Sequence, residues 1–189
     1  NPDATVPAIV AIHGGSWRRG DKADLDFGPA CQWLASQGYV VLSVNYRLAP
    51  AATFPAQLDD VQSAVSWLRE PEQLARFDID PSRIGVFGAS AGGNLASLAG
   101  SAGEGDLSQG SRVAAVATLS GISDLREEIP TTAEYTGDFA EAQLSYVGCP
   151  SFIGCETAAA ASPITHIDPT DPPFFVAHSV DEFIPISQS

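Results

Sequence analysis

Methionine is absent from the sequence, lysine occurs once, at Lys22, and only three cysteines are present in 189 residues. Charged residues make up 17% of the chain, below the roughly 25% usual for soluble domains. That charge is one-sided, with 9 Lys and Arg against 23 Asp and Glu for a formal net charge of -14. An acidic chain with one lysine has no basic face with which to hold nucleic acid or an anionic membrane, so neither is expected as a partner. No apolar run approaches the ~18 residues that a membrane helix needs, and the ends show no basic, apolar, small-residue order of a signal peptide. A hydrophobic share of 44% with so little charge excludes a mainly disordered chain and leaves room for one domain with a real core. With no methionine, and with Asn1-Pro2-Asp3 only a few residues ahead of an apolar run, the chain reads as a processed or partial polypeptide.

The scarce cysteines are unevenly placed. Cys31 sits in a helical pattern, whereas Cys149 and Cys155 bracket a short stretch containing Pro150 and Gly154. The latter two could form a small loop disulfide, which would imply an oxidising or secreted setting. Two free thiols fit the spacing as well. No second cysteine pair or nearby His completes a zinc set, so no metal is expected.

Short apolar runs alternate with longer amphipathic ones, the pattern of β/α units. Strands are expected at 6–12, 39–45, 83–87, 113–119 and 174–178. Their runs are continuous rather than alternating, as in strands of a parallel sheet buried on both faces. Helices are expected near 27–37, 57–68 and 91–99, the first stopped by Gly38 and the last by Gly100. Residues 104–111 read as a Gly/Ser/Asp surface loop. Residues 124–161 form a lid-like excursion between the fourth and fifth strands, a length that often carries a binding wall.

The strongest chemical signal is Gly88-Ala89-Ser90-Ala91-Gly92-Gly93, between an expected strand and an expected helix. A bare G-x-S-x-G arises by chance in roughly one chain in twenty of this length. Strand, tight turn and helix in succession are what a nucleophile elbow requires. Ser90 is therefore the candidate nucleophile. The second signal is His13-Gly14-Gly15-Ser16-Trp17, directly after the first strand, where consecutive glycines leave backbone N–H groups unobstructed. Gly14 and Gly15, joined by the N–H of Ala91, are candidate oxyanion-hole donors. In a doubly wound sheet both loops border the crevice where strand order reverses.

With these residues in view, the chain resembles the α/β-hydrolase superfamily, in its branch of HGG-type carboxylesterases that includes hormone-sensitive-lipase-like and feruloyl or acetyl esterase-like enzymes. Matching stretches run in the family's order through HGGSWRRGDK, GYVVLSVNYRLAP, FPAQLDDVQSAVSWLR, DPSRIGVFGASAGGNLASLAG and ASPITHIDPTDPPFFVAHSVDEFIPISQS. The resemblance implies a single α/β-hydrolase domain over residues 1–189, truncated at both ends, with a mostly parallel doubly wound sheet of order 2-1-3-4-5. It implies a serine carboxylesterase that splits ester substrates through an acyl-enzyme on Ser90. Gly14, Gly15 and Ala91 become its oxyanion hole, and no cofactor is called for. An arylformamidase-like amidase or peptidase, and a non-catalytic binding domain, are the alternatives.

The resemblance also places an orienting acid after the fifth strand. Asp181 fits, since it precedes Pro185 in a D-x-x-x-P arrangement. His178-Ser179 stands where the family commonly has His-Gly, however, and the spacing to the acid is one residue short. Glu182 is the second candidate and Asp124, after the fourth strand, the third, with helix capping as its other role. The family's catalytic His lies on a loop expected beyond Ser189. Of the histidines present, His13 is expected to orient the oxyanion loop, His166 to lie at the surface and His178 to cap the last strand. Trp17 either walls an acyl pocket or packs against its loop. Arg18, Arg19, Asp21 and Lys22 are expected to hold that loop through ion pairs, Arg47 of Asn45-Tyr46-Arg47 to pair beneath the site, and Asn94 to stabilise the helix start.

Overall fold

The computed structural model describes residues 5–25, 27–103, 105–130 and 138–189. Glu104, which opens the expected 104–111 loop, and residues 131–137 of the excursion lie outside the described residues. Five strands, β1 (Val6–Ile12), β2 (Val40–Val44), β3 (Ile79–Ala89), β4 (Val116–Leu119) and β5 (Phe174–Ala177), form one sheet in the order β2-β1-β3-β4-β5. Every neighbouring pair is parallel. This is the α/β-hydrolase arrangement expected from the resemblance.

β3 starts at Ile79 rather than Arg83, and the reason is local. Pro81 has no N–H for the ladder, and the pairing with β1 jumps from Val6↔Ile79 to Ala8↔Ile84. Asp80 compensates: one carboxylate oxygen accepts the Ser82 N–H at 2.9 Å and its hydroxyl at 2.6 Å, and the other takes Arg83 Nε at 2.8 Å.

Among the described residues six α-helices connect the strands: α1 (Gly28–Ser36), α2 (Ala56–Leu68), α3 (Pro71–Phe77), α4 (Ala91–Ser101), α5 (Asp138–Val147) and α6 (Glu156–Ala160). α3 is too short to show a hydrophobic period, and its sequence mark is Pro71 in the first turn. α2 buries Leu58, Val61, Val65 and Leu68, a single stripe at helical spacing. α4 is buried along almost its whole length, because its glycines and alanines let it lie close against the strands. Val10, Ile12, Ile84 and Val86 meet these helices from one face of the sheet with at most 3% exposure. Each such side chain contributes roughly 1.5–3 kcal/mol on burial.

The other face departs from the expectation of strands covered on both sides. α1 lines it with Ala30, Trp33 and Leu34, yet a groove of about 760 Å³ stays open beside Phe87, Ala117 and Phe175. Trp33 is 62% and Phe175 63% exposed. No helix among the described residues is long and apolar enough to cross a membrane.

The strands finish nearly level. Ile12 pairs with Val44 and Gly88, Ala89 with Leu119, and Leu119 with Ala177. The segments that follow β1, β3, β4 and β5 therefore leave from one edge of the sheet, where α/β folds gather their sites.

Candidate active site

Ser90 occupies the single residue between β3 and α4, with φ 53° and ψ -122°. A non-glycine residue in such a conformation is strained by order 1–3 kcal/mol and needs its surroundings to hold it. Two backbone bonds do so: the Ser90 N–H donates to Leu119 O at 2.9 Å, and its carbonyl accepts from Asn94 N at 3.0 Å. The flanking glycines are required by close approach. A Cβ on Gly88 would lie 2.1 Å from Gly92 O, and one on Gly92 would lie 2.1 Å from Ile12 O. The hydroxyl itself is engaged by no hydrogen bond among the described residues.

The segment after β1 comes up against this elbow. A Cβ added to Gly14 would sit 3.4 Å from Ser90 Cβ, so Gly14 lies beside the nucleophile candidate. Among the described residues no acceptor takes the N–H of Gly14 or Gly15. The N–H of Ala91 opens α4, where a first-turn donor has no intrahelical partner. Gly14 and Ala91 thus adjoin Ser90, at the positive end of the α4 dipole.

This loop is fastened from below. Ser16 and Trp17 both adopt left-handed backbone, φ 52° and 56°, while Gly15 O accepts the N–H groups of Arg18 and Arg19. Trp17 is fully buried and stacks on Tyr146 of α5 at 4.4 Å between ring centroids, so it packs rather than walling a pocket. His13 is also buried, its ring stacked on Tyr46 at 4.4 Å. Its Nδ1 lies 2.7 Å from Gly14 O, and since a carbonyl only accepts, Nδ1 carries the proton of this bond. The Tyr46 hydroxyl donates to His13 O at 3.1 Å, and burial pushes its pKa well above that of a free phenol. Lys22 N donates to Asn45 Oδ1 and Ser43 Oγ to Lys22 O. Of the expected ion pairs, Arg18 makes one among the described residues, to Glu141 on α5 at 3.5 Å, and Arg47 pairs with Asp60 at 2.8 Å.

After β5, Asp181 is exposed, whereas Glu182 is half-buried and accepts a hydrogen bond from the Ser120 hydroxyl. Ser120 directly follows Leu119, whose carbonyl holds the Ser90 N–H. Asp124 begins no helix. It accepts the Arg126 N–H two residues on and pairs with the Arg126 guanidinium, which holds its carboxyl below the usual range. His178 is committed to Ser189 Oγ and Ile184 O, and His166 Nε2 to Ala160 O at 2.8 Å. None of the three histidines touches the Ser90 hydroxyl among the described residues.

Sequence reasoning missed Ser120 and Tyr146 and assigned Asn94 a local role. Asn94 instead donates to Ile122 O and Ala161 O and accepts from the Tyr146 hydroxyl, tying α4 to both flanks of the excursion. Cys149 and Cys155 form a disulfide with Cα atoms 5.9 Å apart, joining the end of α5 to the start of α6. Cys31 is free.

Comparison with known proteins decides the lineage. The BD-FAE family model matches residues 1–189, the whole sequence. The chain belongs to the BD-FAE family. Esterase LipQ of Mycobacterium tuberculosis is 32% identical to this BD-FAE chain over 202 residues, covering 100% of it and 45% of LipQ. The chain spans less than half the length of this relative. The acetyl ester-xyloside bifunctional hydrolase of Caldicellulosiruptor lactoaceticus superposes with a TM-score of 0.77 at 27% identity, over 97% of this chain and 65% of that one. Thermogutta terrifontis esterase 2, solved phosphonylated by sarin, superposes with a TM-score of 0.74 at 26% identity, over 99% and 67%.

Proposed function

We propose that this BD-FAE chain carries the nucleophile and oxyanion hole of a serine carboxylesterase. Ser90 Oγ attacks the ester carbonyl carbon while a base takes its proton. The carbonyl oxygen becomes an oxyanion facing the N–H groups of Gly14, Gly15 and Ala91, and the alkoxide departs with the proton from the base. Water then repeats the attack on the acyl-Ser90 ester and frees the acid. Each backbone donor supplies about 2.7–4 kcal/mol of transition-state stabilisation.

The observation that carries this reading is the strained Ser90 elbow, φ 53°, with Gly14 packed against it. Further support comes from relatives named as esterases and from a structural neighbour phosphonylated by sarin, a reagent that traps activated nucleophiles. The reading leaves the base to an imidazole other than His13, His166 and His178, since none of these hydrogen-bonds to Ser90 among the described residues.

The test is Ser90→Ala, assayed on p-nitrophenyl acetate against the matching aryl amide, with fluorophosphonate labelling of the parent. Loss of ester turnover and of labelling in a folded variant is expected. An alanine variant that turned over ester at the parental rate would remove Ser90 from the mechanism, and preference for the amide would move the activity to the amidase class.

A further inference from the structure

The contact between Glu182 and Ser120 lies one residue from the anchor of the nucleophile, and it answers a question left open by the sequence: which carboxylate after β5 serves the site. Resting on the esterase reading above, we propose that Glu182, and not Asp181, orients the catalytic base, and that Ser120 is the residue that positions Glu182.

Three observations converge. First, Ser120 joins three elements at once. Its N–H donates to Ala177 O at the end of β5 at 2.8 Å, its hydroxyl donates to Glu182 Oε2, and the preceding carbonyl, Leu119 O, accepts the Ser90 N–H at 2.9 Å. From nucleophile to carboxylate the path is one hydrogen bond, one residue and a second hydrogen bond. Secondly, Ser120 is 9% exposed with φ 48°. Left-handed backbone at a buried non-glycine residue is held by its surroundings and aims the side chain where an extended residue would not. Thirdly, the hydroxyl engages only one of the two carboxylate oxygens. Glu182 Oε1 has no partner among the described residues, which leaves it to accept an imidazole N–H. Asp181 shows none of this, being exposed and without a hydrogen bond or ion pair among the described residues.

The sequence explains why the shift occurs. The spacing from His178 to Asp181 is one residue short of the pattern it resembles, so the position at full spacing is Glu182. The longer glutamate side chain reaches back to the end of β4, where Ser120 meets it. The chemistry asked of it is unchanged: a carboxylate hydrogen-bonded to the imidazole fixes its tautomer and stabilises the imidazolium formed when Ser90 gives up its proton.

The experiment compares Glu182→Gln, Asp181→Asn, Ser120→Ala and the Glu182→Gln/Ser120→Ala double variant in the natural polypeptide that contains residues 1–189. Readouts are kcat and KM on p-nitrophenyl acetate from pH 5 to 9, with thermal unfolding of each variant. Glu182→Gln should lower kcat by about 10⁴-fold and move the acidic limb of the pH profile downwards, because the base loses the negative charge that favours its protonated form. Asp181→Asn should stay within a few-fold of the parent. Ser120→Ala should lower kcat roughly 10- to 100-fold at little-changed KM, and add nothing in the Glu182→Gln background, as expected for residues acting in series. A large loss and pH shift in Asp181→Asn with Glu182→Gln at parental activity would overturn the assignment, as would parental kinetics in both Glu182→Gln and Ser120→Ala. If Glu182→Gln fails to fold, the kcat and KM of Ser120→Ala decide. Ser90→Ala in the same series separates the two levels: turnover surviving there refutes the esterase reading itself, whereas its loss beside a silent Glu182→Gln refutes only the proposal about Glu182.

Discussion

Replacing Gly92 by alanine adds one carbon and tests whether α4 must touch β1 for the elbow to work. The new Cβ would lie 2.1 Å from Ile12 O and 2.5 Å from His13 O, about 1.3 Å short of ordinary van der Waals contact with the nearer atom. Both atoms are backbone, one at the end of β1 and the other at the start of the loop that carries Gly14, so no side chain can swing aside. Overpacking of this kind costs about 3 kcal/mol, the upper end of its usual range. The gain in helix propensity from glycine to alanine offsets about 1 kcal/mol of that. A net loss of about 2 kcal/mol lowers the urea midpoint by about 1 M for a domain of ordinary m-value. The same displacement parts Ser90 from Gly14 by about 1 Å, which is worth about 10²-fold in kcat. Gly28→Ala in α1 is the internal control. Beyond its chain neighbours nothing lies within 4 Å of its added Cβ, and Pro29 next in the chain disfavours helical backbone at a non-glycine residue, so that variant should shift stability by less than about 1 kcal/mol at unchanged kcat. Urea unfolding and ester turnover on both variants check the argument. A Gly92→Ala protein with the parental midpoint and kcat would show that the close approach of α4 to β1 is not required.

Three other outcomes follow from contacts away from the nucleophile. Arg69 donates to the carbonyls of Pro81, Leu107, Gly110 and Arg112, so Arg69→Met should destabilise by about 3 kcal/mol through unsatisfied carbonyls, seen as a lower Tm with KM unchanged; a neutral Tm would refute the role. Reducing the Cys149–Cys155 bridge, whose sequence separation is 6, should cost about 2 kcal/mol on the loop-entropy model, measured by unfolding with and without reductant; equal curves would count against it. Hydrogen bonds from Ser82 and then Arg83 lower the Asp80 pKa to about 2. The stability they lend is full above the unfolded value near 3.8 and is lost as pH falls through about 2. Asp80→Asn should therefore flatten the pH dependence of Tm between pH 4 and 2, by less than about 1 kcal/mol for so exposed a pair; a slope equal to the parent's would exclude it.

How much was legible in the sequence depended on distance along the chain. The elbow and the glycine pair declare themselves because each works through its own backbone: Gly88 and Gly92 flank Ser90, and Gly14 follows the strand that carries it. The five strands were equally readable as continuous apolar runs, with only their ends moving. What escaped was side-chain recognition across long separations. Nothing near Ser120 announces a hydrogen bond to a residue 62 positions away, and Tyr146 resembles any other aromatic on a helix until Trp17 is found stacked on it. Composition could not show the open face either, because β5 has the same apolar run whether or not a helix lies over it.

The stacking of Trp17 on Tyr146 has a bearing on redesign. Segments between β4 and β5 in such folds invite exchange when a new specificity is sought, as though they were detachable parts. Here α5 props up the very turn that brings Gly14 beside Ser90, through an aromatic pair with an interplanar angle of 3° and an Arg18–Glu141 contact beside it. A graft that discarded Tyr146 would leave Trp17 and the turn beside Ser90 without that support, so a successful chimera must keep that one ring and vary the residues around it.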